Sequence, residues 1–218
     1  MTDHYWYIYG AGGLGVETMD ILQCAIRKGL QLPHRCAFLV DEPTQEAAMG
    51  LPVVAFRDHV PRSRVTIAVG EPFARKALLE KLGSFNLVLS SVISPDAFVS
   101  EAAEIADGVI VAPHCSIQAT SRIGRNVAVN TMSIVGHHVV VEENCVISSM
   151  VNLGGAVRVG KCSYLGMGAL VKERLQIGHS TIVGMGSVVH SDVPDEVIAL
   201  GNPARVARRN EDKQVFKG

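Results

Sequence analysis

IADGVI VAPHCS IQATSR IGRNVA VNTMSI VGHHVV VEENCV ISSMVN LGGAVR VGKCSY LGMGAL VKERLQ IGHSTI VGMGSV VHSDVP, residues 105–194 in blocks of six, decides the fold. The first residue of all fifteen blocks is aliphatic, from Ile105, Val111 and Ile117 to Ile177, Val183 and Val189. The fifth is small or β-branched, as at Val109, Cys115, Ser121 and Ser133, with Leu175 the exception. Glycine recurs at the second position: Gly124, Gly136, Gly154, Gly160, Gly166, Gly178 and Gly184. This period is the signature of a hexapeptide parallel β-helix. Each block is a short strand and a tight corner, and three blocks close a triangular coil, so residues eighteen apart stack. First- and fifth-position side chains fill the prism, and the second-position glycines suit corners that require positive φ. A β-sandwich alternates with period two between irregular loops and does not hold a period of six. The grammar extends back through Val99 to Ile93, for about six coils. Asp195 ends it.

Composition narrows the class. The chain has 218 residues, 48% hydrophobic and 19% charged, which fits a soluble globular protein of one large or two modest domains. A net charge of −1 argues against nucleic-acid binding. Five cysteines without C-x-x-C spacing read as free buried thiols in a reducing compartment. The start MTDHYWYIYGAGG lacks a basic lead and a cleavage site, and no apolar run reaches membrane-spanning length. The expectation is a cytoplasmic protein without a membrane partner.

Ahead of the repeat, strand and helix patterns alternate. Tyr5–Tyr9, Cys36–Val40, Leu51–Ala55, Val65–Val69 and Leu87–Ile93 read as strands; Val16 to about Leu30 and Glu71–Leu82 read as helices. A small parallel sheet over residues 1–92 follows. Gly10, Gly12 and Gly15 fit G-x-G-x-x-G between a strand and a helix, with Gly13 inside the loop. Such a loop lets backbone N–H groups approach phosphates at a helix N-terminus. Asp41, ending the second strand, stands where an acid would meet a ribose or base. A nucleotide or nucleotide-sugar site, an NAD site and a purely structural turn all fit this loop; about 90 residues are few for both halves of a dinucleotide fold. After the repeat, Gly201-Asn202-Pro203-Ala204 reads as a turn, and the tail from Arg205 as a short helix or a frayed end.

YIYGAGGLG at 7–15, FLVDEP at 38–43, SPDAFVSEAAEI at 94–105, VNTMSIVGHH at 129–138 and GNPAR at 201–205 occur in an order and spacing that resembles the sialic acid O-acetyltransferase family. That family includes bacterial acetyltransferases acting on UDP-4-amino-sugars, and the likeness covers nearly the whole chain. It implies a Rossmann-like α/β domain (residues 1–92) holding the nucleotide of the acceptor, then a left-handed parallel β-helix with its tail (residues 93–218). It further implies a homotrimer with acetyl-CoA between adjacent helices and no metal.

By position, the family's catalytic histidine falls on His137, where an outward corner imidazole suits removal of a proton from the acceptor. A solvent-exposed corner histidine without a role is the alternative. Eighteen residues on, Gly155 stacks on His137, where the family places an N–H toward the thioester oxygen. Asn130 matches an asparagine that contacts the acceptor, although a structural asparagine also fits. Three departures stand out. His138 takes the place of the acid after the histidine, Val146 that of a second histidine near the acetyl group, and Leu14 that of a histidine after GAGG. Expected acceptor contacts are therefore Gly10, Gly12, Gly13, Leu14, Asp41, Asn130 and His138. Expected CoA contacts are Val146, Gly155, the corners Gly166, Gly168, Gly184 and Gly186, then Asn202, Pro203, Ala204 and Arg205.

The reading is acetyl transfer from acetyl-CoA to the amine of a nucleotide-linked sugar, direct rather than through an acetyl-enzyme, since Cys115, Cys145 and Cys162 face the core. O-acetylation of a sialic-acid-like sugar and a weakly catalytic nucleotide-sugar-binding scaffold are the alternatives. Zinc, known on related β-helices, fits poorly because His114 and His137 share no eighteen-residue column.

Overall fold

The computed structural model describes residues 4–31 and 35–216. Its N-terminal part is a sheet of β1 (Tyr5–Tyr9), β2 (Arg35–Val40), β3 (Ala47–Ala48), β4 (Leu51–Ala55), β5 (Arg64–Ile67) and β6 (Val88–Leu89), with helices α1 (Gly13–Arg27) and α2 (Pro72–Leu82). The strand order is β3-β4-β2-β1-β5-β6. Every pairing is parallel except β3 with β4. β1 alternates, as a strand buried on both faces must. Trp6 and Ile8 pack with Met19 and Leu22 of α1 on the side facing the repeat. Tyr7 and Tyr9 pack with Phe56 and Leu82 on the other side.

The expected closing strand at Leu87–Ile93 is in fact two strands in two different sheets. Val88–Leu89 ends the α/β sheet, and Val92–Ile93 opens the repeat. The transfer happens at Ser90-Ser91: Ser90 N–H donates back to Val65 O at 2.9 Å, while Val92 N–H donates forward to Val109 O at 2.9 Å. Each residue is β-like locally, so a continuous apolar run hides the change of partner.

From Val92 the chain winds as a parallel β-solenoid. Each coil places one two-residue strand on each of three faces, and eighteen-residue register holds throughout, as in Ile110↔Ala128, Ile134↔Asn152 and Arg122↔Val140. Six coils run from Val92–Ile93 to Val188–Val189, the last closed by a bridge from Ile177 to Val193. First-position side chains such as Ile117, Val135, Leu153 and Leu165 are completely buried, as are fifth-position Val109, Ser133, Cys145 and Ser187. The polar fifth positions satisfy themselves inside the prism. Ser133 Oγ donates to Ser148 O (2.8 Å) and Ser163 Oγ to Gly178 O (2.7 Å), while Cys145 Sγ lies 3.0 Å from Gly160 O. Cys115, Cys145 and Cys162 are buried and free; Cys24 and Cys36 are only half-buried, so not every thiol is in the core.

The corner glycines have a different purpose from the one expected. Positive φ belongs to the fourth position of every block from Gly108 to Gly186, whatever the residue: His114 (59°), Asn126 (58°), Met132 (62°), His138 (59°) and Arg174 (62°) are examples. The second-position glycines instead make room for the next coil. A Cβ on Gly160 would lie 2.5 Å from His179 N, and one on Gly136 2.7 Å from Leu153 O. Real Cβ atoms do not approach backbone that closely, so these positions exclude side chains by contact rather than by φ.

The tail is also reordered. Val197–Gly201 adds in parallel to Ile182–Val183 and turns through the cis Asn202–Pro203 bond into antiparallel Ala204–Arg209. It is neither helix nor frayed through Arg209. The last coil leaves an unpaired sheet edge, and the hairpin covers it. Lys217 and Gly218 lie outside the described residues.

The α/β part covers the first face of the solenoid. The outward residues Val92, Ile110, Ala128 and Val146 on that face are buried. Their counterparts Phe98, Asn152 and Leu170 on the second face, and Glu104, Arg122 and Arg158 on the third, are exposed. Arg75 of α2 joins the two parts. It is completely buried and donates to Ile67 O (2.8 Å), Val69 O (3.0 Å), Asn126 O (2.8 Å) and Asn126 Oδ1 (3.0 Å). Asn126 Nδ2 returns a bond to Arg75 O (3.0 Å) and another to Asn144 Oδ1 (2.8 Å). Burial pushes the Arg75 pKa down. Carbonyl oxygens on the fork offset the cost of desolvating it.

Candidate functional site

His137 stands at the corner between the second and third faces and is exposed. Its ring lies over Gly155 of the next coil: a Cβ there would sit 2.5 Å from His137 Cε1 and 2.6 Å from Nε2. No other residue type fits under this imidazole as placed. The Gly155 carbonyl accepts from Arg174 N–H (2.9 Å), and the chain passes on with Ala156 N–H donating to His137 O (2.8 Å). Gly155 N–H has no acceptor among the described residues. An imidazole and an uncommitted amide donor thus share one corner. His138, in the left-handed region, is exposed beside them, its Nδ1 2.9 Å from His137 Nδ1 and the ring planes 89° apart. Glu142 and Glu143 lie one corner further along, where Glu143 pairs with Lys161 at 2.7 Å.

Asn130 is at another edge, between the first and second faces. Its Oδ1 is buried without a hydrogen-bond partner. A buried orphan acceptor is unusual enough to suggest a missing donor. Seven residues in sequence have become the width of a solenoid face, so one chain does not bring Asn130 and His137 together.

The glycine loop lies at the carboxyl edge of the parallel sheet, where ligands of such sheets sit. Gly10 has φ 115° and abuts Ala68 O; a Cβ on Gly15 would collide with the Gly10 carbonyl. Gly12 and Gly13 are exposed and open. No side chain caps α1, leaving its first amides to the loop. Leu14 is half-buried and packs on the core between the two parts. Beside the loop, Ala11, Gly12, Val40, Glu42, Thr44, Gln45 and Val53 line a cavity of about 310 Å³. Asp41 is engaged elsewhere. Lys81 of α2 pairs with it, Tyr9 Oη donates to it at 2.5 Å, and the two hold its carboxyl below the usual carboxylate range. Burial and the Asp41 carboxylate push the Tyr9 phenol up. Lys81 is forty residues from Asp41, and no local signal announces the pair. Glu42, Thr44 and Gln45 were visible only as the polar run that ends the strand.

No family model matches the chain. A structure of PerB from Caulobacter crescentus in complex with CoA and GDP-perosamine is 31% identical, with TM-score 0.83 over 92% of this chain and 96% of that one. The chain belongs to the hexapeptide-repeat amino-sugar acetyltransferase family. It is an acyltransferase of the kind its sequence resembles. The acetyltransferase domain of PglB from Neisseria gonorrhoeae in complex with acetyl coenzyme A is 30% identical, with TM-score 0.86 over 93% of this chain and 98% of that one. GDP-perosamine N-acetyltransferase of Escherichia coli O157:H7 is 26% identical over 213 residues, 93% of this chain and 96% of that protein. The Caulobacter enzyme has also been solved as His-to-Asn and His-to-Ala variants.

Against this acetyltransferase background, the residues expected to meet CoA fall into three groups. Val146 is on the first face, 1% exposed beneath the α/β part, and has no surface to give an acetyl group within this chain. That expectation is corrected: the position is core, and valine suits it. The four glycine corners have structural duties. Gly166 and Gly184 clear the next layer, while Gly168 (70°) and Gly186 (66°) adopt positive φ. Their N–H groups donate to Val183 O, Ala199 O, Ser149 O and Met167 O, so none is left for a phosphate. They offer only a surface free of side chains. Asn202, Pro203 and Arg205 are exposed on the end hairpin, and Ala204 is buried. Among the described residues, no group of three or more His, Cys, Asp or Glu side chains is placed to hold a metal. No described helix is long and apolar enough to cross a membrane.

Proposed function

We propose that this acetyltransferase moves the acetyl group of acetyl-CoA to the amine of a nucleotide-linked amino-sugar, in a site shared between copies of a trimer. The observation that carries the chemistry is His137 lying over Gly155 with its amide N–H unpaired. The amine nitrogen attacks the thioester carbonyl carbon. Nε2 of His137 takes the proton the nitrogen sheds, and Gly155 N–H donates to the oxyanion. Collapse breaks the C–S bond, and the proton leaves with the CoA thiolate. The relatives solved with CoA, acetyl coenzyme A and GDP-perosamine support the two substrate classes.

The sharing follows from prism geometry. The α/β part lies on the first face, and the edge carrying His137 is the one opposite that face. A nucleotide-sugar on Gly10, Gly12 and Gly13 is therefore remote from the His137 of its own chain. Closed three-fold symmetry brings one chain's Asn130 edge toward the next chain's His137 edge. In this reading the N-terminal part is a Rossmann-like nucleotide domain over residues 1–92 and the solenoid a left-handed helix over 93–218. CoA lies along the groove between neighbours, toward Asn202, Pro203 and Arg205. The protein works in the cytoplasm.

The test is CoA release with GDP-, UDP- and dTDP-amino-sugars. Wild type turns over at least one of them. His137→Ala lowers kcat by about 10²–10⁴-fold, the usual worth of a general base. Wild-type turnover by that variant sinks the base assignment.

A further inference from the structure

The geometry points to His138 as a positioning residue that fixes the tautomer of His137, the part a carboxylate takes elsewhere in catalytic histidine pairs. The inference rests on His137 being the base proposed above.

The two Nδ1 atoms are 2.9 Å apart. At that distance one proton lies between them, and between two neutral rings there are two ways to place it. If His138 donates, the single proton of His137 is on Nε2, and the atom over Gly155 is no base. If His137 donates, its Nε2 carries a free lone pair. The base role proposed for Nε2 requires the second arrangement, with Nε2 bare above Gly155. His138 is exposed and keeps its own proton on Nε2, in water. The perpendicular rings, 89° apart, let the His137 N–H point at the lone pair in the plane of His138.

The backbone holds the acceptor in place. His138 has φ 59°, and its N–H donates to Ala119 O of the previous coil at 3.2 Å. Every fourth position from Gly108 to Gly186 shares that conformation, so the solenoid imposes it and the histidine does not select it. It also makes the position easy to test, since Gly, Asn and Asp all accept positive φ.

His138→Gly removes the acceptor without straining the corner. Nitrogen NMR of the imidazoles then reads the tautomer directly. Wild type should show His137 protonated at Nδ1, and His138→Gly should move that proton to Nε2. In the same variant kcat should fall about 10- to 100-fold, the scale of a misdirected general base, with KM for acetyl-CoA nearly unchanged. His138→Asp and His138→Asn, which put an acceptor oxygen near the same point, should restore the Nδ1–H form and most of kcat. An unchanged His137 tautomer in His138→Gly overturns the proposal, as does failure of both acceptor variants to restore it. The tautomer does not depend on turnover. A fully active His137→Ala enzyme would therefore refute the base assignment alone.

Discussion

At Gly155 the absence of a side chain is as consequential as the presence of one at His137. A methyl group there would occupy space within 2.6 Å of Nε2. Gly155→Ala is expected to turn the ring out of its position while leaving the coil intact, because the Gly155 backbone is not in the left-handed region. The variant should melt within a few degrees of wild type yet lose about 10²-fold in kcat, comparable with loss of an oriented base. A matched loss of fold by circular dichroism would instead make Gly155 a packing residue. The column was legible, since adding eighteen to 137 needs only the period. The 2.9 Å contact between the two histidines was not, because neighbours in a chain share no fixed side-chain geometry. At Asp41 the strand end was legible, but the contacts of its Oδ1 with Lys81 and Tyr9 were not.

At the scale of the coil, glycine serves two purposes with different costs. A Cβ on Gly166 would lie 2.5 Å from Met185 N, whereas Gly168 has φ 70° and open space around it. Gly166→Ala must push one coil from the next, so it should cost about 2–3 kcal/mol, the range for overpacking. Gly168→Ala pays only for a left-handed residue, about 1 kcal/mol. Thermal melts at equal protomer concentration compare them, since assembly adds to apparent stability. Equal shifts would show that layer spacing is softer than the contacts imply. Met132, Ala156 and Arg174 already hold positive φ, so the solenoid supplies that conformation without glycine's help. Gly136, Gly160 and Gly166 have no such tolerance, because what opposes a side chain there is the backbone of another coil.

For the molecule as a whole, the proposed function requires the glycine loop on one side and His137 on the opposite edge to serve one reaction. The expected answer is complementation. Gly12 is open, so Gly12→Asp should repel phosphate without disturbing the fold. In the proposed trimer, Gly12→Asp alone or His137→Ala alone should be inactive. Co-refolded at equal amounts, they should regain about a quarter of wild-type activity, the share of interfaces pairing an intact loop with an intact histidine under closed symmetry. No recovery would place loop and histidine in the same chain. The sequence alone determined the solenoid, its register, its core and the column of His137 and Gly155, because a strict period converts position into place. It also announced the parallel sheet and its glycine loop, which depend on local patterns. Only the tertiary structure decided where the chain changes sheets at Ser90-Ser91, that the tail closes the last coil, and that Val146 is buried. These are contacts between segments far apart in the chain, and no local pattern of residues encodes which distant surface will cover which.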